Sequence, residues 1–197
     1  MPWNPAPITA ALPAWMLSNR TGSYSYRPLA QQIGRQYHLA ASTVQTTFGQ
    51  IVTKRGSATT IQLGFEASFK LAEEWQSANI SPTDYTVKQW NSEMPNSVWA
   101  PAAKGIVRYW TGAQMATAPP APGGGAGFTN PVLVPGLTIA LTPAISAAFK
   151  IGKTFPLCAA LNVAFIAHLK TTSGLWSGLA AGGTPPPPLA VPWTTLV

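Results

Sequence analysis

Charge is scarce in this chain and is placed unevenly, which limits the folds and functions open to it. All five acidic residues lie between Glu66 and Glu93, so residues 1–65 and 94–197 contain no Asp or Glu. Charged residues make up only 9% of the chain, against about 25% in an average soluble domain. So few charges do little to keep a protein soluble and monomeric. We therefore expect a protein that packs against partners.

Proline-rich ends and a Gly/Pro-rich tract divide the chain into parts. Proline interrupts helices and ladders, so the first and last stretches are predicted to be extended. The predicted class is α+β, mainly helical in the first 117 residues, with an apolar C-terminal part of mixed secondary structure and extended arms at both ends. The predicted parts are an extended N-terminal arm (1–26), a helical body (27–117), a Gly/Pro linker (118–130), an apolar packing region (131–181) and a Pro-rich C-terminal tail (182–197).

The helical body carries its strongest signal between Phe65 and Ala78. Apolar residues recur there at helical spacing, and charged residues occupy the opposite face. Weaker patterns predict a short strand at 57–65, a short helix from Pro82 to about Trp90 and a helix at 99–116.

The apolar packing region contains two long uncharged stretches. Residues 131–149 are 19 uncharged, mostly apolar positions, and a second stretch covers Phe155–Leu169. The first is long enough to suggest a membrane span, but Pro135 and Pro143 interrupt it. We interpret both stretches as buried elements, with a membrane-inserted protein using residues 131–169 as an alternative. Composition favours a strand at Thr138–Leu141 and a helix at Leu157–Leu169.

Residues suited to catalysis or metal binding are few and scattered. The first three carboxylates fall on what is predicted to be a solvated helix face, the ordinary position for Glu. The single cysteine, Cys158, and the two histidines, His38 and His168, show no zinc-site spacing. Cys158 and His168 would lie about 15 Å apart along one helix, too far for a nucleophile and its base. We predict no enzymatic activity, no metal and no cofactor.

The stretch from Leu29 to Gly56 can form two helices around a turn. Ser42 can cap a second helix running from Thr43 to about Thr53. With the small Gly34 in the first helix and Val44 in the second, the stretch resembles a helix-turn-helix, in which the second helix enters the major groove of DNA. Of the two interpretations we favour a plain helical hairpin that uses its apolar face for the core. The resemblance implies nucleic-acid contacts by Thr43, Gln45, Thr46, Gln50, Lys54 and Arg55.

Scarce charge, eight Trp residues and Pro-rich ends predict a structural, non-enzymatic component of a large assembly. We expect a minor capsid, cement or tail-type protein of a virus or phage particle, assembled in the host cytoplasm. Its expected partners are other protein subunits, with weak contacts to nucleic acid or a membrane and no small-molecule substrate. A helix-turn-helix-like DNA-binding protein and a membrane-inserted protein are the alternatives. Trp is enriched at interface centres, so the predicted interface anchors are Trp3, Trp15, Trp176 and Trp193.

Overall fold

The computed structural model describes residues 3–19, 26–45, 52–79, 93–115, 129–134, 138–171, 173–177 and 189–192 of the chain. Within these residues lie six helical segments and two small β-sheets. The elements in chain order are a π-helical turn (Pro7–Ala11), α1 (Leu12–Ser18), α2 (Tyr26–Ala41), β1 (Val52–Lys54), α3 (Ala58–Asn79), a 3-10 turn (Asn96–Trp99), α4 (Ala100–Trp110), β2 (Gln114–Met115), β3 (Thr129–Val134), α5 (Thr138–Lys150), α6 (Thr154–Lys170), β4 (Ser173–Ser177) and β5 (Leu189–Pro192).

Among the residues whose side chains are described, helices supply nearly all of the buried core. The strands form one antiparallel pair, β1 with β2, and one three-stranded antiparallel sheet with β4 in its centre. Of the strand residues whose side chains are described, Val52 enters the core. The prediction that the first 117 residues are mainly helical is therefore confirmed for the described residues. The α+β class is not supported, because the ladders are short and the core is packed helix against helix.

Two glycines allow α3 and α4 to pack with their backbones in close contact. A Cβ atom added to Gly64 would lie 2.7 Å from the carbonyl oxygen of Pro101 and 3.1 Å from the Cα of Gly105. No other residue type fits there without moving the helices apart, since such distances fall below van der Waals contact. This crossing places the α3 residues Ile61 and Phe65 inside the core, so the predicted strand at 57–65 is wrong from Ala58 onward.

An aromatic cluster joins the two sides of the predicted linker. The ring of Trp99, in front of α4, stacks on Phe149 of α5 with centroids 4.1 Å apart, and Phe69 of α3 meets both rings edge-on. All three side chains are buried. The helical body and the apolar packing region therefore share one core. The predicted linker itself (118–130) lies outside the described residues except for its last two positions, which begin β3.

The N-terminal segment is helical and packed against its own chain, which corrects the predicted extended arm. Pro7 to Ser18 form a continuous helical segment whose Ile8 and Leu12 side chains are fully buried. The backbone N–H of Leu12 reaches the carbonyl of Pro7, five residues back. This wider turn leaves room for the ring of Pro13, which would clash with the preceding turn of a regular α-helix.

Several other local predictions are settled by the described residues. Thr138–Leu141 belongs to α5 and is not a strand, whereas the predicted helix at Leu157–Leu169 is confirmed by α6. The predicted helix at 99–116 is confirmed as far as Trp110, after which the chain turns into β2. The predicted helix from Pro82 to Trp90 and most of the C-terminal tail lie outside the described residues.

Candidate interaction surface

The α5–α6 hairpin presents the most unusual surface of the described chain, and a tight turn creates it. Gly152 adopts a left-handed conformation with φ of 68°, which a glycine reaches without strain. Lys153 then precedes α6, and its carbonyl oxygen accepts the N–H of Leu157 at 2.9 Å. The two helices therefore run antiparallel and in contact along their lengths.

The inner side of the hairpin fixes the orientation of both helices. In α5, Leu141, Ile145 and Phe149 are at most 2% exposed. In α6, Leu161 and Phe165 are completely buried, and Phe165 packs on the ring of Tyr37 from α2. With this side buried, the opposite side of each helix must face away from the core.

The outer side of the hairpin is apolar where solvent-facing helices are normally polar. Every exposed position between residues 139 and 147 and between residues 155 and 167 carries an apolar side chain. Ile139 is 77% exposed, Val163 65% and Phe155 57%. The outer stripes, each spaced four residues apart and called here the outer face, are Ile139, Pro143, Ala147 and Ile151 on the α5 side and Phe155, Ala159, Val163 and Ala167 on α6.

Lysines mark the ends of the outer face. Lys153 precedes α6 and Lys170 ends it, and both side chains are exposed. Lys150, at the end of α5, is half-buried. Among the described residues none of these lysines has an acidic partner within ion-pair distance. The outer face is thus an uncharged apolar surface with positive charge at its margins.

The other long helices expose charged side chains among their apolar ones. The exposed positions of α2 include Arg27 and Arg35, and those of α3 include Lys70 and Glu74 beside Leu63 and Leu71. Their charged side chains also pair, since Arg27 lies 3.6 Å from Glu66 and Lys70 lies 3.9 Å from Glu74. What distinguishes the outer face of α5 and α6 from these helices is that no charged side chain lies among its exposed apolar ones.

Polar side chains inside the core are arranged in pairs that stabilise the fold. Trp110 Nε1 donates a 2.7 Å hydrogen bond to the hydroxyl of Tyr37, and burial raises the pKa of that hydroxyl far above its ordinary value. The Tyr109 hydroxyl lies 2.9 Å from Nδ1 of His38. Burial lowers the pKa of His38, and the positive charge of Arg55 lowers it further. Each hydroxyl of these two pairs therefore has a partner within the described structure.

The predicted recognition helix is wrong at both of its described ends. Ser42 and Thr43 form a turn, Gln45 follows it, and Val52–Lys54 form the strand β1. Arg55 is half-buried, and its guanidinium donates a 2.8 Å hydrogen bond to the carbonyl of Val52 instead of reaching outward. Lys54 lies in β1, and the side chains of Thr46 and Gln50 belong to residues outside the described part. The six predicted nucleic-acid contacts therefore do not share one helix.

The predicted interface anchors lie in different environments. Trp3 is 5% exposed, and its Nε1 donates a 2.8 Å hydrogen bond to Oδ1 of Asn162 in α6. It is a core residue, which corrects its predicted role as an anchor for neighbours. Trp15 is half-buried against the same core. The backbone of Trp176 lies in β4 opposite Leu189, and Trp193 lies outside the described residues.

The described residues contain no group of three or more His, Cys, Asp or Glu side chains that could hold a metal ion. Cys158 is buried, its sulfur lies 3.8 Å from the sulfur of Met16, and burial raises the pKa of the thiol to about 12. A thiol that stays protonated at neutral pH is a weak nucleophile. His168 is also buried, on the inner side of α6.

Comparison with known proteins gives no relative for this chain. No protein-family model, no curated protein and no solved structure matches it. Among the described helices, none combines the length and the hydropathy needed to cross a bilayer.

The outer face escaped the sequence-based prediction, although a signal was present. From Thr154 to Leu169 the sequence carries no Lys, Arg, Asp or Glu, and its polar residues are Thr154, Asn162 and His168 alone, so α6 is apolar around most of its circumference. Such a helix has to be covered on more than one side. Composition alone predicts that this stretch is buried and does not show how many of its sides the chain itself covers.

Proposed function

We propose that this chain is a structural, non-enzymatic component of a large assembly, of the kind found in a virus or phage particle. The observation that carries the proposal is the outer face of α5 and α6. Scarce charge over the whole chain supports it, because a weakly charged surface favours association over the free monomer.

The exposed apolar area gives the proposal a free-energy basis. Burying a whole Ile, Val or Phe side chain contributes about 1.5–3 kcal/mol. Ile139, Val163 and Phe155 are 77%, 65% and 57% exposed, so covering these three alone contributes roughly 4 kcal/mol. Contiguous apolar patches on monomeric proteins are small, and larger ones mark contact sites. Neighbouring components of the assembly are therefore proposed to cover the outer face in the native state.

The proposal predicts that the native protein is found in a particle far larger than one chain. Particles isolated from the source should contain the chain by mass spectrometry, and light scattering should show a species well above 20.8 kDa. Val163→Asp places a charge on the outer face, and we expect that variant to be lost from particles. Leu63→Asp is the matched control, because Leu63 is 58% exposed on α3, away from the outer face.

Two outcomes would contradict the proposal. One is a native protein that stays monodisperse at the mass of a single chain. The other is Val163→Asp entering particles as efficiently as Leu63→Asp, which would mean that no component covers the outer face.

A further inference from the structure

We propose that the surface covering the outer face is an anionic lipid bilayer, so that the α5–α6 hairpin lies flat in the membrane interface. This inference rests on the proposed function, because it identifies the component of the assembly that contacts this face. Apolar side chains would enter the boundary between headgroups and acyl chains, and the lysines at the margins would contact anionic headgroups.

The structure favours a helix lying on a membrane over one that crosses it. No described helix is long and apolar enough to span a bilayer. The inner sides of α5 and α6 are also committed to the core, where Phe149 stacks on Trp99 and Phe165 packs on Tyr37. Inserting the whole hairpin would break this core, whereas contact through the outer face leaves it intact. This refines the predicted alternative in which residues 131–169 insert into a membrane.

Charge at the margins distinguishes a bilayer from a second copy of the chain. Two copies of α6 can pair antiparallel so that Phe155 of one copy faces Ala167 of the other and Ala159 faces Val163. Each large side chain then meets a small one. The same arrangement places Lys153 beside Lys170 of the other copy. A parallel pair would place each lysine beside its own equivalent. Like charges therefore meet in both arrangements, which disfavours self-association.

An anionic surface removes that conflict and supplies the missing negative charge. Residues 94–197 contain no Asp or Glu, so this half of the chain cannot neutralise Lys150, Lys153 and Lys170 itself. A bilayer offers a planar apolar layer with negative headgroups at its surface. Both features match the outer face, whose centre is uncharged and whose positive charges lie at the two ends of α6.

Flotation of the full-length chain with lipid vesicles tests this inference. The probe vesicles contain phosphatidylcholine alone, or phosphatidylcholine mixed with phosphatidylglycerol. We expect binding to the mixed vesicles, little binding to phosphatidylcholine alone, and weaker binding when salt rises from about 0.1 M to about 1 M, because salt screens the lysines. Circular dichroism before and after binding should show the same helix content, since the hairpin is already folded.

Variants separate the two contributions to binding. Val163→Asp should lower vesicle affinity at least about tenfold, because it removes apolar burial and adds a charge that repels the lipid. Lys153→Gln with Lys170→Gln should lower it roughly 25-fold, at about fivefold for each lysine. The matched controls, Leu63→Asp on α3 and Lys104→Gln with Arg108→Gln on α4, should bind nearly as the unchanged chain does. Thermal unfolding confirms that each variant is folded.

Three results would overturn the inference. The first is no binding to mixed vesicles by the folded chain. The second is binding that the α3 and α4 controls lose as strongly as the outer-face variants. The third is a dimer that forms without lipid and is abolished by Val163→Asp, which would assign the outer face to a second copy. If vesicle binding fails while Val163→Asp still prevents entry into native particles, the outer face contacts another protein and the proposed function stands.

Discussion

Replacing Trp3 by Ala tests whether the N-terminal segment is an integral part of the core. Trp3 is 5% exposed, and its ring meets Tyr37 and Phe165 edge-on with centroid distances of 5.3 and 6.3 Å. Its Nε1 donates the 2.8 Å hydrogen bond to Asn162. A single side chain thus connects the N-terminal segment to α2 and α6, which lie far from it in sequence.

The expected loss follows from these contacts. Truncating a buried Trp to Ala destabilises a protein by about 3–5 kcal/mol. Asn162 is only 9% exposed, so leaving its oxygen unpaired adds about 1 kcal/mol. We expect the free energy of unfolding to fall by about 4–6 kcal/mol and the melting temperature by roughly 8–24 °C for a chain of this size. Trp3→Phe should lower the free energy of unfolding by less, because it keeps most of the buried aromatic ring. It still loses the hydrogen-bond donor to Asn162.

Urea and thermal unfolding followed by circular dichroism measure these differences. Trp15→Ala is the matched control, since Trp15 lies in the same N-terminal segment but is only half-buried; its loss should be smaller than that of Trp3→Ala. The reasoning is refuted if Trp3→Ala changes the free energy of unfolding by no more than about 0.5 kcal/mol, the scale of an ordinary surface substitution. That result would return Trp3 to the role of an anchor for a neighbouring subunit.

Three further predictions concern the core. Gly64→Ala should lower the free energy of unfolding by about 1–3 kcal/mol in urea titrations, because the new methyl group would lie 2.7 Å from the Pro101 carbonyl oxygen; an unchanged midpoint would contradict the close α3–α4 contact. Ser68→Ala should lower the free energy of unfolding by about 1–3 kcal/mol, because it removes the acceptor of the Ala102 N–H. Ser146→Ala should be neutral or stabilising, because the buried hydroxyl of Ser146 has no partner in the described structure. Equal losses of stability in the two variants would argue against this assignment. The pKa of His38 in the folded chain is below its ordinary 6.5, so the unfolded chain takes up the proton first as the pH falls. The free energy of unfolding should therefore fall as the pH drops through about 6.5. In His38→Gln, free energies of unfolding measured from pH 8 to pH 5 should depend less on pH than in the unchanged chain.

Sequence patterns identified the parts of the fold that depend on one helix and its neighbours. The apolar stripe of Phe65, Phe69 and Ala72 was found because a repeat every three or four residues reflects a single buried face, and all three side chains are fully buried. The helix at Leu157–Leu169 is predicted from a different local signal, its continuous apolar composition. These signals are local, so no knowledge of distant contacts was needed.

Parts of the fold that depend on distant contacts were missed. The β-branched residues of 57–65 favour a strand locally, but the contact of Gly64 with α4 and the burial of Ile61 favour a helix. The Pro-rich N-terminal segment was predicted to be extended, since nothing local shows that Trp3 reaches Asn162. The outer face of α5 and α6 was missed because hydropathy measures how apolar a segment is and does not show which side the rest of the chain covers.

The hydrogen bond between Trp3 and Asn162 spans 159 positions of sequence, which has a consequence for the order of events during synthesis. The segment Pro7–Ser18 leaves the ribosome well before α6, which is the last of the described helices to be translated. The α6 side of the indole therefore stays uncovered until α6 has been translated, a period in which a chaperone can bind there. Ribosome-bound chains that stop before residue 154 should leave this indole accessible to quenchers, and chains extended well beyond residue 170 should protect it.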